Sequence, residues 1–349
     1  MNTFAAPDLA VLIGRFQPFH HGHLVLLRSA LSLAPRVAVV LGSAHHARTP
    51  RNPWTWQERA EMIQASLTAE ERARTTLLPQ RDLYNPARWA SAVEASIQAL
   101  SPQPQRVLLL GHEKDSSSEY LHAFPHWQQH LVPRQADIDA TALRQRLWAS
   151  RAEQLPDTLQ ALSADLPQGS QALLHAWAGG AQWLALQAEW QSLQAYAKAW
   201  SVVPYPPVFV TVDAVVRCAD HLLLIRRGQH PGLGLLALPG GFIDLHETAL
   251  QSALRELEEE TRLSDTRLMS ALRGSQVFDH PARSQRGRTI THAFYFDLGE
   301  VERPTIEAAD DAQSAQWISL GELAALEDQF HDDHFHIIQH FLAGSNQGL

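Results

Sequence analysis

Apolar and polar positions divide the N-terminal part of the chain into short apolar runs that alternate with amphipathic stretches. The runs Val11–Ile13, Val37–Leu41 and Val107–Leu110 predict buried strands. The stretches near residues 23–32 and 56–67 predict helices. Strands that alternate with helices in this way predict parallel βαβ units and an α/β fold. Because ligands of such sheets bind at the carboxyl ends of the strands, we expect a first site there.

The pattern changes in the second half of the chain, after a helical segment at residues 157–200. Residues 157–200 are rich in Ala, Leu, Gln and Trp and predict helices. The prolines at 204–207 then stop helix formation, and the β-branched run Val208–Val216 follows. Since 349 residues exceed what a single core usually organises, we predict two domains, residues 1–200 and 201–349.

Composition narrows the classes of function. Hydrophobic residues make up 45% and charged residues 19% of the chain, as in globular proteins, and no apolar run approaches the ~20 residues that cross a bilayer. The single cysteine, Cys218, excludes an internal disulfide and favours a cytoplasmic location. A net charge of -9 argues against nucleic acid as the main partner, whereas small anions bound by arginines remain open.

The segment Gly14–His23 follows the first predicted strand and opens the first helix. The free N–H groups and the dipole at a helix start favour phosphate. His20 and His23 are three positions apart, so both can face one ligand within a helical turn. A pair of structural histidines is the alternative, but the combined strand, glycine and His-x-Gly-His context favours an anion site.

This segment, Gly-Arg-Phe-Gln-Pro-Phe-His followed by His-Gly-His, resembles the signature of the nucleotidylyltransferases, and in particular of archaeal-type NMN adenylyltransferases. Four further stretches resemble the same family in order: Gly42–Arg59, Asp82–Trp89, Gly111–Asp115 and Ala140–Arg144. Asp139 stands where that family usually has Ser, so an acceptor replaces a hydroxyl donor. The resemblance implies a doubly wound, Rossmann-like parallel sheet.

The resemblance also implies a reaction and its residues. The phosphate of NMN would attack the α-phosphorus of ATP, which releases pyrophosphate and needs alignment and charge neutralisation more than a protein nucleophile. The implied catalytic residues are His20, His23, Arg15 and Arg144, and the implied substrate-binding residues are Gly14, Phe16, Arg51, Asp82, Asn85, Trp89, Gly111 and Thr141.

A second constellation lies in residues 241–263. On a helix, Glu256, Glu259 and Glu260 gather on one face, and Arg255 is placed to pair with Glu259. Crowded carboxylates repel one another unless a cation neutralises them, and their hard oxygen atoms suit Mg²⁺ or Mn²⁺. A solvated acidic helix face is the alternative.

The spacing Gly-x5-Glu-x7-Arg-Glu-Leu-x-Glu-Glu resembles the Nudix box. Arg262 replaces the second glycine of that box, and we expect the turn to change there and the chemistry to survive. The resemblance implies an α/β/α Nudix fold with a mixed sheet. It assigns Glu256, Glu259 and Glu260 as metal ligands, Arg255, Glu256 and Glu259 as catalytic residues, and Gly241, Phe278 and Arg286 as substrate-binding residues.

Both domains in this order resemble the bacterial bifunctional NMN adenylyltransferase/Nudix proteins. The resemblance implies ATP, NMN and ADP-ribose as substrates, Mg²⁺ or Mn²⁺ as cofactor, and no nucleic-acid or membrane partner, and it leaves a homo-oligomer open. Two alternatives remain. In the first, the same folds act on other substrates: another adenylyl acceptor for the first domain, and NADH or nucleoside triphosphates for the second. In the second, the Nudix domain serves as a ligand sensor.

Overall fold

A computed structural model describes residues 6–103, 105–112, 121–133, 138–264 and 266–343. The chain forms two compact units, Met1–Gln187 and Ala188–Leu349. The division between them falls inside one continuous helix, Ala181–Trp200, and not after it, where we had placed the boundary. The proline cluster interrupts the helical pattern, but the later turns of this helix already belong to the second unit.

The first unit contains a five-stranded parallel sheet, as predicted. Its strands are β1 (Leu9–Gly14), β2 (Val37–Leu41), β3 (Thr75–Pro79), β4 (Val107–Gly111) and β5 (Gln128–Leu131), in the order β3-β2-β1-β4-β5. Its helices are α1 (His21–Leu33), α2 (Trp56–Ala65), α3 (Ala69–Ala73), α4 (Pro86–Gln98), α5 (Ala140–Ala149), α6 (Leu155–Leu162) and α7 (Gln168–Trp177), and α8 is Ala181–Trp200. The strand order reverses beside β1, so the carboxyl end of β1 opens into the crevice where such sheets bind ligands.

The second unit contains a mixed sheet, which confirms the predicted fold class. The strands β6 (Val208–Cys218), β7 (His221–Arg227), β10 (Leu272–Phe278), β11 (Arg288–Asp297) and β12 (Ala312–Ser319) form the order β10-β11-β6-β7-β12. The short strands β8 (Leu236–Ala237) and β9 (Gly240–Phe242) pair with β7 and β6. Only the pairing of β11 with β6 is parallel among the described strands of this unit.

Helices cover both faces of this sheet. They are α9 (Ala249–Thr261), α10 (Leu268–Ala271) and α11 (His334–Ala343), with a 3-10 segment at Leu320–Gln329. One buried cluster includes Leu257 of α9, and the other includes Ile337 and Ile338 of α11. The two clusters lie on opposite faces because alternate residues of a strand point to opposite sides, as Ala214 and Val215 of β6 do. In the described part of the chain, no helix is long and apolar enough to cross a membrane.

The turn after α9 differs from our expectation. Arg262 adopts the left-handed conformation, with φ 53° and ψ 18°, and its N–H donates to the carbonyl of Glu258 at 2.9 Å. Glycine is the usual residue in this conformation at the end of a helix. The expected change of the turn is therefore wrong, because arginine adopts the left-handed turn that glycine would favour.

Replacing Arg262 with glycine should therefore stabilise the second unit. A non-glycine residue in the left-handed region costs on the order of 1 kcal/mol, so we expect Arg262→Gly to raise the free energy of unfolding by about that amount. Chemical denaturation of the full chain measures it. Arg262→Ala is the matched control, because it removes the side chain and keeps Cβ. An equal gain in both variants would show that the arginine side chain, and not the backbone, is the source of the cost.

Candidate active sites

The first site begins where β1 ends. Gly14 is followed by Phe16, which has a φ of 52° and folds its ring back over the glycine. A Cβ at position 14 would lie 3.0 Å from that ring, so any side chain there would press on the Phe16 ring and shift it. The Phe16 ring meets His23 edge-on, with 4.8 Å between ring centroids. Gly14 and Phe16 therefore set the position of a predicted site histidine.

The structure brings His20 and His23 together. Their rings stack with 3.6 Å between centroids, and His20 is the N-cap residue of α1. The backbone N–H of His20 donates to Nδ1 of His23 at 3.3 Å. Because Nδ1 accepts this bond, the neutral His23 ring carries its proton on Nε2, where it can donate to a phosphate oxygen.

Three arginines of the same unit, Arg15, Arg51 and Arg144, lie close enough for their charges to interact. Arg144 is buried and donates to the carbonyl of Gln17 at 2.5 Å. Burial, together with the charges of Arg15 and Arg51, lowers the pKa of Arg144 to about 10. Nη1 of Arg15 is buried and makes no hydrogen bond with the described residues. Positive charges held this close favour a bound anion.

Asp139 has a structural role at the neighbouring helix start. Its carboxylate accepts the N–H groups of Thr141 at 2.6 Å and Ala142 at 3.1 Å, and so caps α5. Thr141 instead uses its hydroxyl oxygen to accept from Arg144 at 3.2 Å. The substitution of aspartate for serine thus fills N–H groups that a phosphate would otherwise contact.

The predicted NMN-binding residues have distinct surroundings. Asp82 accepts from the Ser43 hydroxyl at 2.7 Å and pairs with Nε2 of His46 at 3.3 Å. Burial raises the pKa of Asp82, but the hydrogen bonds from His46 and Ser43 outweigh it, and the pKa falls below its ordinary value. Asp82 is therefore an anion, and its charge partly balances that of Arg15.

Asn85 and Trp89 each contact a residue of the first unit. Asn85 is exposed and caps α4, with its side-chain oxygen accepting from the N–H of Arg88 at 2.9 Å. Trp89 is half-buried and packs against Phe124 at 6.0 Å between centroids. Gly111 ends β4 and, if it had a Cβ, would meet Leu121 at 2.7 Å. The rest of that motif, Glu113–Asp115, lies outside the described residues.

Sequence reasoning assigned no role to Arg59. This side chain is fully buried and donates to three carbonyls at the ends of β1 and β2: Arg15 at 2.5 Å, Gly42 at 2.8 Å and Ser43 at 3.2 Å. Arg59 thus joins the two loops that carry the site. Its position on the buried face of α2 together with Met62 and Ile63 is the signal that sequence reasoning could have used.

In the second unit, the carboxylates of Glu260 and Glu256 lie against the backbone of two glycines in β9. Gly240 donates its N–H to Oε2 of Glu260 at 2.9 Å. A Cβ on Gly241 would lie 2.5 Å from the carboxylate of Glu256. A Cβ on Gly240 would lie 2.1 Å from the carbonyl oxygen of Val212 in β6, so that position requires glycine. A Cβ on Gly241 would displace the Glu256 carboxylate, so the two glycines set where the carboxylates lie.

Arg255 connects three glutamates. It donates to Glu247 at 2.9 Å, Glu256 at 2.9 Å and Glu259 at 2.8 Å, which includes the predicted pair with Glu259. The Glu259 side chain is 44% exposed, so this ion pair contributes little stability by itself. The network orients the carboxylates.

The carboxylates of α9 fit a divalent cation. Burial, together with the charges of Glu256 and Asp213, raises the pKa of Glu260 to about 8. Burial also raises the pKa of Glu256. Among the described residues, no three His, Cys, Asp or Glu side chains are already arranged so that they could hold a metal ion. A cation would remove the cost of ionising these buried oxygens, and their donor chemistry suits a hard divalent ion.

The predicted substrate residues of the second unit lie against different partners. Phe278 contacts His340 and Phe341 of α11, at 5.3 and 6.3 Å between centroids. Arg286 lies over the ring of Phe242 at 5.4 Å, and its Nε is buried without a hydrogen bond to any described residue. Arg286 therefore has a buried donor suited to an anionic ligand.

Sequence reasoning also missed Arg227, which ends β7. Its Nε donates to the carbonyl of Pro231 at 2.8 Å. Burial and the charge of Arg286 lower the pKa of Arg227, while the charge of Glu260 opposes the shift. The available signal was the pair of arginines, Arg226 and Arg227, that follows the apolar run Leu222–Ile225 at the carboxyl end of a strand.

Comparisons with known proteins agree with this division. The cytidylyltransferase-like family matches residues 11–146, and the NUDIX domain family matches residues 207–341. A nicotinamide/nicotinic acid mononucleotide adenylyltransferase from Acinetobacter baylyi is 37% identical over 145 residues, which cover 41% of this chain and 77% of that relative. An ADP-ribose pyrophosphatase from Methanocaldococcus jannaschii is 34% identical over 137 residues, which cover 39% of this chain and 75% of that relative.

One solved structure matches both units. A bifunctional NMN adenylyltransferase/ADP ribose pyrophosphatase from Francisella tularensis is 33% identical, with a TM-score of 0.87 over 97% of this chain and 99% of that chain. A second structure with the same description contains AMP and a Mn ion, with the same identity, TM-score and coverage. The chain therefore belongs to the family of bifunctional NMN adenylyltransferase/ADP-ribose pyrophosphatases, in which a cytidylyltransferase-like unit precedes a Nudix unit.

Proposed function

We propose that the first unit joins NMN to ATP to form NAD and pyrophosphate, and that the second hydrolyses ADP-ribose to AMP and ribose 5-phosphate. The observation that carries the first activity is the group of interacting arginines Arg15, Arg51 and Arg144, in which Arg144 donates to the carbonyl of Gln17 in the loop between β1 and the stacked histidines. The carboxylates of α9 beside Gly240 and Gly241 support the second. The family relationship supports both substrates.

In the first unit, an oxygen of the NMN phosphate attacks the α-phosphorus of ATP, and the bond to the leaving pyrophosphate breaks. No protein nucleophile is needed. The arginines offset the negative charge of both reactants, and Nε2–H of His23 donates to a phosphate oxygen as charge develops. Phe16 and Gly14 hold that histidine, while Asp82 and Trp89 are proposed to bind NMN together with Asn85. Gly111 and Thr141 complete the proposed substrate-binding set.

In the second unit, Glu256, Glu259 and Glu260 would hold Mg²⁺. The related structure with a Mn ion supports a divalent metal, and the all-oxygen donor set favours Mg²⁺. When bound, the ion supplies charge neutralisation and Lewis-acid activation of water. Arg255 orients the carboxylates, and Arg286 is proposed to bind substrate phosphate. Phe278 is proposed to line the substrate site, and we propose a cytoplasmic location for the enzyme.

Product analysis of the purified full chain tests both activities. With NMN, ATP and Mg²⁺ we expect NAD and pyrophosphate, and nicotinic acid mononucleotide tests for another acceptor. A separate panel of ADP-ribose, NAD, NADH and nucleoside triphosphates should show fastest cleavage of ADP-ribose, with AMP and ribose 5-phosphate as products. EDTA is the control. Faster cleavage of NAD would contradict the hydrolase substrate, and binding of ADP-ribose without cleavage would favour a sensor.

A further inference from the structure

One buried carboxylate of the second unit lies outside the Nudix box. Glu189 on α8 is 8% exposed. Its Oε1 accepts the N–H of Gly232 at 2.8 Å, and its Oε2 pairs with Nδ1 of His230. A buried carboxylate is costly unless it is bound, so these contacts fix the segment that supplies them.

That segment is the loop between β7 and β8, residues 228–235. Gly232 has a φ of 82°, and a Cβ there would lie 2.3 Å from Nδ1 of His331. The loop backbone therefore lies directly on the His331 ring, at a position that only glycine can occupy. Glu189 binds the loop at this same glycine, so it fixes the point of closest approach.

The loop in turn holds Arg227. The Nε of Arg227 donates to the carbonyl of Pro231 at 2.8 Å, between the two residues that Glu189 binds. The backbone of Arg227 exchanges hydrogen bonds with the same loop, to Gly234 at 2.8 Å and to Leu235 at 3.0 Å. A shift of the loop would therefore move the guanidinium.

Arg227 lies at the end of β7 that adjoins the Glu260 end of α9. The N–H of the next residue, Gly228, donates to the carbonyl of Asp311 at 2.7 Å, and Ala309 of the same loop donates its N–H to the carbonyl of Glu260 at 3.1 Å. The charge of Arg227 interacts with Arg286 and with Glu260, which are the proposed phosphate-binding and metal-binding residues, and also with Glu189. A guanidinium at this place is suited to the pyrophosphate of a nucleoside diphosphate compound, because its planar fork matches phosphate oxygens.

We propose that Glu189 is a positioning residue of the hydrolase. It fixes loop 228–235, and the loop holds Arg227 beside Glu260 and Arg286, where Arg227 binds substrate phosphate. This inference rests on the proposed hydrolysis. It also places the start of the functional hydrolase within α8, before the prolines at 204–207.

Three variants of the full chain test the proposal. Glu189→Ala should raise the KM for ADP-ribose about tenfold, the loss expected for one charge-assisted contact, and change kcat by less than about threefold. Glu189→Gln keeps an oxygen for Gly232 and should recover most of the affinity. Gln194→Ala alters an exposed residue of the same helix and should match the wild type. NAD synthesis should be unchanged in all three, whereas partial unfolding would lower kcat and leave KM unaltered.

A binding measurement separates this proposal from the proposed function. Titration calorimetry with ADP-ribose in EDTA reports affinity without cleavage, and Glu189→Ala should bind about tenfold more weakly. Equal affinity of the wild type and Glu189→Ala, or equal weakening in the Gln and Ala variants, would overturn the positioning role. If the wild type cleaves another compound of the panel, only the proposed substrate is wrong, and the same comparison is made with that compound.

Discussion

His23→Ala is expected to lower kcat for NAD synthesis by about 100- to 1,000-fold, the loss typical of removing one preorganised donor to a developing charge. The backbone N–H of His20 fixes the His23 tautomer through Nδ1, and the stacked rings hold its orientation. Steady-state assays with NMN and ATP measure the effect. The KM values should change less than kcat, because the arginines retain most of the ground-state charge neutralisation.

His21→Ala is the matched control for this variant. His21 begins α1 between the two site histidines, and neither proposed mechanism uses it. Hydrolase activity on the same chain reports whether each variant is folded. If His23→Ala synthesises NAD at the wild-type rate, the proposed donor role is wrong, and the stacked pair only caps the helix.

Glu260→Gln is expected to lower metal-dependent hydrolysis of ADP-ribose by about 100-fold or more, because it removes a charged ligand from a cation site. The amide keeps an oxygen for the N–H of Gly240, which the wild-type carboxylate accepts at 2.9 Å. Burial already disfavours the charged form of this carboxyl, so its replacement by a neutral amide should lower folding stability little. Product chromatography at several Mg²⁺ concentrations measures the loss.

Glu258→Gln is the control on the same helix, because Glu258 is exposed and lies outside the proposed ligand set. It should hydrolyse ADP-ribose as the wild type does. NAD synthesis should be unchanged in both variants. Full hydrolase activity in Glu260→Gln at limiting Mg²⁺ would refute the metal role of this residue.

Sequence patterns predicted those features that depend on local spacing. Apolar runs indicated the strands, and the spacing of His20 and His23 predicted that both rings lie within one turn. The pair of Arg255 with Glu259 also follows from helical geometry. These features were accessible because both partners lie a few residues apart in one element.

Contacts with distant backbone could not be predicted, even where helical spacing could have marked a residue such as Arg59 as buried. Arg59 binds carbonyls of loops up to 44 positions away, and carbonyls leave no trace in a sequence. Glu189 binds a loop 43 positions later. The left-handed turn at Arg262 was misjudged because tertiary packing overrides the preference of one residue. In each case the position or the conformation of the backbone decides the outcome, and the identity of the residue does not reveal it.

The continuous helix α8 limits where the gene of such a protein could be split into two separate genes. Its first turns bury Trp183 and bind Gln187 to the carbonyls of Trp148 and Ser150, whereas its later turns carry Glu189 for the second unit. A split of the reading frame at any codon of this helix would deprive one product of contacts that it needs. Two independent genes would both have to encode the helix, so we expect complementing halves to overlap across Ala181–Trp200.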